Sequence, residues 1–107
     1  QFPTWLAPVQ VKVLPISEKF SDYAKEVSDK LDAAGIRVQT DYRAEKIGYK
    51  IREARNERVP YIIVVGEKDQ AVNKVSLRSR KNGEEGQMDL ADVIARIQEE
   101  VRTKALD

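Results

Sequence analysis

The chain has 107 residues, a length typical of one small domain, because two cores of half this size would each bury too little surface. Lys and Arg number 19 against 18 Asp and Glu, so the net charge of +1 taken alone argues against a nucleic-acid binder. An apolar content of 41% excludes a disordered chain, and no apolar run approaches the roughly 20 residues that span a bilayer. Without Cys or His, the usual ligands of zinc and iron–sulfur sites and the usual catalytic nucleophile pairs are missing.

The first third of the chain predicts an arm, a strand and a helix. Residues 1–8 contain neither an initiator Met nor a secretory signal, so we expect a leading arm from the junction with a preceding domain of a longer protein. The β-rich segment 10–16 predicts the first strand. Ser17 offers an N-cap oxygen for a helix that ends at Gly35, with apolar residues on one helical face at Phe20, Ala24, Val27, Leu31 and Ala34.

The middle of the chain predicts a second strand and helix followed by a buried strand. Alternation of polar and apolar residues over 36–42 indicates the strand. An amphipathic helix follows over 46–58 and ends before Pro60, with its apolar face at Ile47, Ile51 and Ala54. The continuous apolar run 61–66 is typical of a central strand with both faces covered.

The last third completes the predicted fold. A polar loop at 67–73 leads into the alternating strand 74–80, which we expect to pair antiparallel with the strand before it. Residues 81–87 read as a turn-rich loop that includes the turn Gly83–Gly86, with a short fifth strand possible near 86–88. Asp89 caps a final helix with apolar residues at Leu90, Val93, Ile94, Ile97 and Val101. The order β-α-β-α-β-β-α predicts a three-layer α/β/α domain with a mixed sheet.

The charge is unevenly distributed along the chain. Segments 43–58 and 74–81 together contain ten basic and three acidic residues, a net charge of +7, and the remaining residues sum to -6. A phosphate responds to the local field, so one basic surface suffices for binding nucleic acid. Alternation along strand 74–80 should place a row of donors on one face, at Lys74, Ser76, Arg78 and Arg80.

Two other interpretations of these charges stay open. The basic residues can simply be a solvated helix face and a charged edge strand that resists aggregation. A basic face can also bind an acidic protein, in which case we expect no outward base-stacking aromatics such as Tyr42 or Tyr49. A hydrolase that uses carboxylates alone is a more distant alternative, and it requires a pocket with two convergent acids.

Five segments in order resemble a known family. They are FPTWLAPVQ at 2–10, AGIRV at 34–38, EKIGYKIREA at 45–54, VPY at 59–61 and VVGEK at 64–68. Together they resemble the C-terminal anticodon-binding domain of bacterial-type threonyl-tRNA synthetase, a class II aminoacyl-tRNA synthetase, over essentially the whole chain. The resemblance implies a mixed sheet of about five strands flanked by three helices, and recognition of the anticodon of threonine tRNA.

The resemblance also implies which residues meet the RNA. The loop after the second strand contributes Arg43, Ala44, Glu45 and Lys46, the loop after the third strand Lys68 and Asp69, and the following strand Arg78. Ser76 and Arg80 join this set because the alternation of that strand places them on the same face as Arg78. We expect Arg78 to read a base edge, Asp69 to accept a hydrogen bond from a base, and Lys46, Lys50 and Arg80 to position phosphates. The family usually has Asn at the position of Ala44 and Glu at the position of Asp69.

Catalysis is not expected in this chain. The resemblance implies no cofactor or metal here, with ATP, Mg²⁺ and a zinc ion held by the catalytic domain of a parent threonine–tRNA ligase. It implies a parent that is a cytoplasmic homodimer without a membrane segment. The alternatives are the anticodon-binding domain of a prolyl, histidyl or glycyl synthetase, or an α/β protein-interaction module.

Overall fold

The computed structural model describes residues 2–104, and Gln1 and residues 105–107, which the predicted domain 1–107 includes, lie outside them. These residues form a five-stranded sheet in the order β2-β1-β3-β4-β5. The strands are β1 Val11–Pro15, β2 Val38–Thr40, β3 Tyr61–Val65, β4 Val75–Ser79 and β5 Gly83–Met88. Four α-helices accompany them, α1 Ser21–Ala33, α2 Ile47–Asn56, α3 Glu67–Ala71 and α4 Leu90–Thr103, with 3-10 turns at Thr4–Leu6 and Glu18–Phe20.

The sheet is mixed, as the order of elements predicts. β1 lies between β2 and β3 and is parallel to both, because α1 and α2 provide the crossover connections. β3 and β4 are antiparallel, and so are β4 and β5. The apolar strand β3 occupies the centre of the sheet, which confirms the interpretation of the run 61–66.

Two predictions of local structure are wrong. Residues 67–71, expected in a loop, form α3, whose first turn is capped by the Asp69 carboxylate accepting the Gly66 N–H at 3.0 Å. Residues 83–86, expected as a turn, begin β5, and the pairing of β4 with β5 shifts register between Leu77 and Arg78. Gly86 has a φ of 91°, and its freedom at positive φ accommodates this bulge.

Helices cover the two faces of the sheet unequally. On one face, α1 and α4 enclose the larger cluster of buried side chains, among them Val13, Leu31, Ile63, Leu77 and Ile97. On the other face, α2 packs over Leu14 and Ile62 through Ala54. α2 lies over β1 and β3, whereas β4 and β5 on this face are contacted at one end by Asp69 of the short helix α3. Within residues 2–104 there is no helix long and apolar enough to span a bilayer.

Candidate nucleic-acid interface

The sheet face beside α2 presents a row of polar side chains. Along β4, Val75, Leu77 and Ser79 are buried while Ser76 and Arg78 are partly exposed, which confirms the predicted alternation. Arg78 lies opposite Ile62 in the register with β3. Its Nη2 donates to Glu84 Oε2 on β5 at 2.8 Å, and Glu84 is largely exposed. The guanidinium of Arg78 therefore lies at the surface with one weak, solvent-screened partner.

The two basic segments of the sequence meet at one end of this face. A groove of about 300 Å³ lies between the end of α2 and β4, and its lining includes Arg55, Arg58, Ile62, Arg78 and Arg80. Arg80 Nη1 donates to the Arg58 carbonyl at 3.0 Å. The helix and the strand contribute cations to the same groove. The uneven charge distribution along the sequence therefore produces one basic surface.

At the other end of α2, ion pairs and hydrogen bonds hold the loop 41–46 in place. The buried Asp41 carboxylate accepts the Arg43 N–H at 3.1 Å, Nε at 2.9 Å and Nη2 at 2.7 Å. Arg43 also donates to Glu53 on α2. The bonds from Arg43 lower the pKa of Asp41 to about 2, and they raise the pKa of Arg43. Arg43, expected among the RNA contacts, is thus bound on two sides by carboxylates.

Lys50 does not lie where the predicted role requires it. A phosphate contact needs an exposed ammonium, but Lys50 is only 2% exposed, and its Nζ donates to the carbonyls of Asp41 at 3.0 Å and Pro15 at 3.3 Å. The sequence contained a signal for this burial. Lys50 falls on the same helical face as Ile47, Ile51 and Ala54, which packs on the sheet.

Asp69 is likewise buried and its carboxylate is occupied. Besides the Gly66 N–H, it accepts Ser76 Oγ at 2.7 Å and Gln87 Nε2 at 3.1 Å. These bonds join α3, β4 and β5, so Asp69 and Ser76 hold the edge of the face together. The prediction that Asp69 accepts a hydrogen bond from a base conflicts with this geometry, because its oxygens already accept three bonds. The contact between Gln87 and Asp69 has no signal in the sequence, which predicts a loop over 81–87 with only a possible short strand near 86–88.

The remaining predicted residues lie at the surface. Ala44, Glu45, Lys46 and Lys68 are all exposed, the first three at the tip of the loop before α2 and the last on α3. Tyr42 and Tyr49 are nearly half exposed beside this loop. The Arg43 guanidinium lies 5.8 Å from the centre of the Tyr49 ring, a cation–π distance. Outward aromatics next to cations favour a surface on which bases stack over a protein-interaction face.

Two further cations belong to the surface but were not singled out in the sequence. Arg52 and Arg55 are exposed on α2, and neither forms an ion pair within the part of the chain that the structure describes. Together with Asn56 and Arg58 they line a shallow depression at the end of the helix. The guanidinium groups of Arg52 and Arg55 are available to phosphates.

Several carboxylates of residues 2–104 are held by arginine side chains. Asp41 and Glu53 converge on the guanidinium of Arg43, and Arg96 holds the pKa of Glu85 at about 2 through hydrogen bonds. A carboxyl with a pKa this low is a poor general acid near neutral pH. Residues 2–104 also contain no group of three acids placed to hold a metal ion. This arrangement does not support the hydrolase alternative.

The mixed sheet of this α/β fold presents a basic groove beside α2, and this arrangement suits a nucleic-acid-binding domain. A family profile described as anticodon binding domain matches residues 10–100, and the chain belongs to this family. Threonine–tRNA ligase from Clostridium perfringens strain 13 is 63% identical over 102 residues, which cover 95% of this chain and 16% of the relative. The enzyme of Clostridioides difficile strain 630 is 57% identical over 104 residues, covering 97% of this chain and again 16% of the relative.

Solved structures agree with this assignment. The crystal structure of the RNA-binding domain of threonyl-tRNA synthetase from Cryptosporidium parvum Iowa II has a TM-score of 0.85 and 38% identity, covering 92% of this chain and 25% of that chain. Histidyl-tRNA synthetase from Nostoc sp. PCC 7120 has a TM-score of 0.79 and 25% identity, covering 89% of this chain and 23% of that chain. The predicted fold class is confirmed, with the short α3 as an additional helix.

Proposed function

We propose that this chain binds the anticodon of threonine tRNA and belongs to a threonine–tRNA ligase. The observation that carries the proposal is the sheet face beside α2, where the partly exposed guanidinium of Arg78 lines a groove together with Arg55 and Arg80. A planar guanidinium can form two hydrogen bonds to one base edge, which gives discrimination between bases. The high identity to threonine–tRNA ligases favours this enzyme over the histidyl, prolyl and glycyl alternatives.

The exposed and partly exposed residues divide into those that contact bases and those that contact phosphates. Arg78 reads a base edge, and the loop tip of Ala44 and Glu45 offers backbone groups and a carboxylate to a second base. Lys46, Lys68 and Arg80 position the phosphates around them. Ser76 acts indirectly, through its hydrogen bond to Asp69.

The chain spans about 16% of the length of the threonine–tRNA ligases it matches, so aminoacylation belongs to the longer parent. We assign ATP, Mg²⁺ and the zinc ion to the parent's catalytic domain, as the similarity to threonine–tRNA ligases implies. The parent works as a homodimer in the cytoplasm, and this domain supplies affinity for the correct tRNA. A tRNA bound here would present its acceptor end to that catalytic domain.

Titration with three RNAs tests the proposal. The chain is mixed with threonine tRNA, with the same tRNA altered at its anticodon, and with an unrelated tRNA, at one fixed salt concentration. We expect the unaltered threonine tRNA to bind most tightly. Equal affinity for all three would show a basic surface without anticodon recognition.

The substitution Arg78→Ala tests the reader directly. One well-placed bidentate contact gives about 1–3 kcal/mol of discrimination, so the variant should lose roughly 5- to 150-fold of its preference at one anticodon base. Arg102→Ala is the matched control, because Arg102 is a surface arginine in an ion pair with Glu99 on α4. If Arg78→Ala keeps its preference for the threonine anticodon, Arg78 does not contact an anticodon base.

A further inference from the structure

Lys50 is a charged side chain in a place that ordinarily excludes charge. It lies one turn into α2 and is almost fully buried, among the apolar residues that pack this helix on the sheet. A buried ammonium is unfavourable unless hydrogen bonds and an opposite charge compensate for its lost hydration. Its partners therefore show what the side chain does.

These partners lie at the ends of two neighbouring strands. Pro15 is the last residue of β1, and Asp41 follows the last residue of β2, and both give their carbonyl oxygens to Lys50 Nζ. The charge of Lys50 also helps to lower the pKa of the Asp41 carboxyl, after the larger effect of Arg43. One buried ammonium thus joins α2 to the carboxyl ends of β1 and β2.

Asp41 extends this connection into the loop that follows. Its carboxylate accepts three bonds from Arg43, and Arg43 donates in turn to Glu53 on α2. The Glu45 N–H donates to the Arg43 carbonyl at 2.9 Å, which tightens the loop before its exposed tip. Loop 41–46 is therefore fixed from inside, and only its tip is left free for a ligand.

We propose that Lys50 and Asp41 are positioning residues that hold loop 41–46 in the shape that reads an anticodon base. This inference rests on the proposed function. Neither side chain touches RNA, and Arg43 serves as a strut between Asp41 and Glu53 rather than as a base reader. A loop already ordered before binding loses less conformational freedom on binding, and it presents its polar groups at fixed positions.

Lys50→Met in the full chain separates positioning from phosphate binding. Met retains the length and apolar stem of Lys50 but cannot donate to the two carbonyls. We expect a folded variant whose amides in loop 41–46 exchange hydrogen faster, and whose preference for the threonine anticodon falls by at least about fivefold. The salt dependence of binding should stay unchanged, because no phosphate contact is lost.

Lys25→Met is the matched control, since Lys25 is exposed on α1 and pairs with Asp29. It should leave both the preference and the loop exchange unchanged. A phosphate role for Lys50 would instead give uniform weakening and a salt slope smaller by about 1, and that result would overturn the inference. Unchanged preference together with unchanged loop exchange would overturn it as well.

Glu53→Gln keeps the test decisive if Lys50→Met unfolds. Glu53 is partly exposed, so this variant weakens one end of the Arg43 strut by removing its negative charge, and it leaves no buried cavity. We expect the same loss of preference and loop protection in a smaller degree, and no change in either would contradict the inference. If the wild-type chain itself fails to discriminate between RNAs, the proposed function fails, whereas hydrogen exchange still decides whether Lys50 holds the loop.

Discussion

On the proposed role of Arg78, Glu84 competes with RNA for its guanidinium, so Glu84→Gln should tighten binding. The 2.8 Å ion pair joins β4 to β5 at the surface, with Glu84 more than two-thirds exposed. A base or phosphate that binds Nη2 of Arg78 competes with this carboxylate. Glutamine keeps the size of the side chain and removes its charge.

The size of the gain follows from the exposure of the pair. Exposed ion pairs are worth about 0.2–1 kcal/mol, so removal of this competition should increase RNA affinity by roughly 1.4- to 5-fold. The gain should shrink as salt rises, because salt screens the exposed pair that it depends on. The free energy of unfolding should change by less than about 0.5 kcal/mol, as for most surface substitutions.

Fluorescence anisotropy with a labelled threonine anticodon stem-loop, repeated at low and high salt, measures the change. Glu26→Gln is the control, since Glu26 also belongs to an exposed ion pair, with Lys30, but on α1 behind the opposite face of the sheet. Its substitution removes the same charge from the chain. If the two variants gain equally, the effect is one of total charge, and if Glu84→Gln binds more weakly, Arg78 and Glu84 are not competitors for RNA.

Two further predictions concern the ends of α2. The Asp41 pKa of about 2 lies below its ordinary 3.8, so this carboxylate stabilises the fold above about pH 4 and loses that contribution as pH falls through 2. The free energy of unfolding, measured with urea, should therefore fall between pH 4 and pH 2 by about 2 kcal/mol more in the wild type than in Arg43→Ala. Equal falls in the two proteins would refute the coupling. Arg55→Ala should weaken binding of all tRNAs alike and reduce the salt slope by about 1, whereas Lys30→Ala, on α1, should do neither.

The sequence was most informative where apolar periodicity determines structure. The run at Tyr61–Val65 contains almost no polar side chain, and only a central strand buries such a run on both faces. The faces of α1, α2 and α4 were predictable for the same reason. The distribution of charge along the chain also predicted a basic surface that the net charge of +1 does not reveal.

The sequence was least informative where backbone or buried polar contacts decide the structure. β5 has little apolar character, and its pairing with β4 depends on backbone hydrogen bonds that no side-chain pattern reveals. The sequence predicts that Lys50 and Asp69 are surface residues, because charged residues are rarely buried, but both are buried in the structure. Their partners come from distant elements, for example Pro15 for Lys50 and Gln87 for Asp69, and only the folded chain brings them together.

The central claim is that the sheet face beside α2 receives the anticodon. Amide and arginine side-chain NMR signals of the isotope-labelled chain, followed during titration with a threonine anticodon stem-loop, test it directly. We predict the largest changes at the loop tip around Ala44 and Lys46, at Lys68, and at Arg78 and Arg80, with the outer faces of α1 and α4 unaffected. Changes concentrated on α1 and α4 would place the RNA on the opposite side of the sheet and contradict the account.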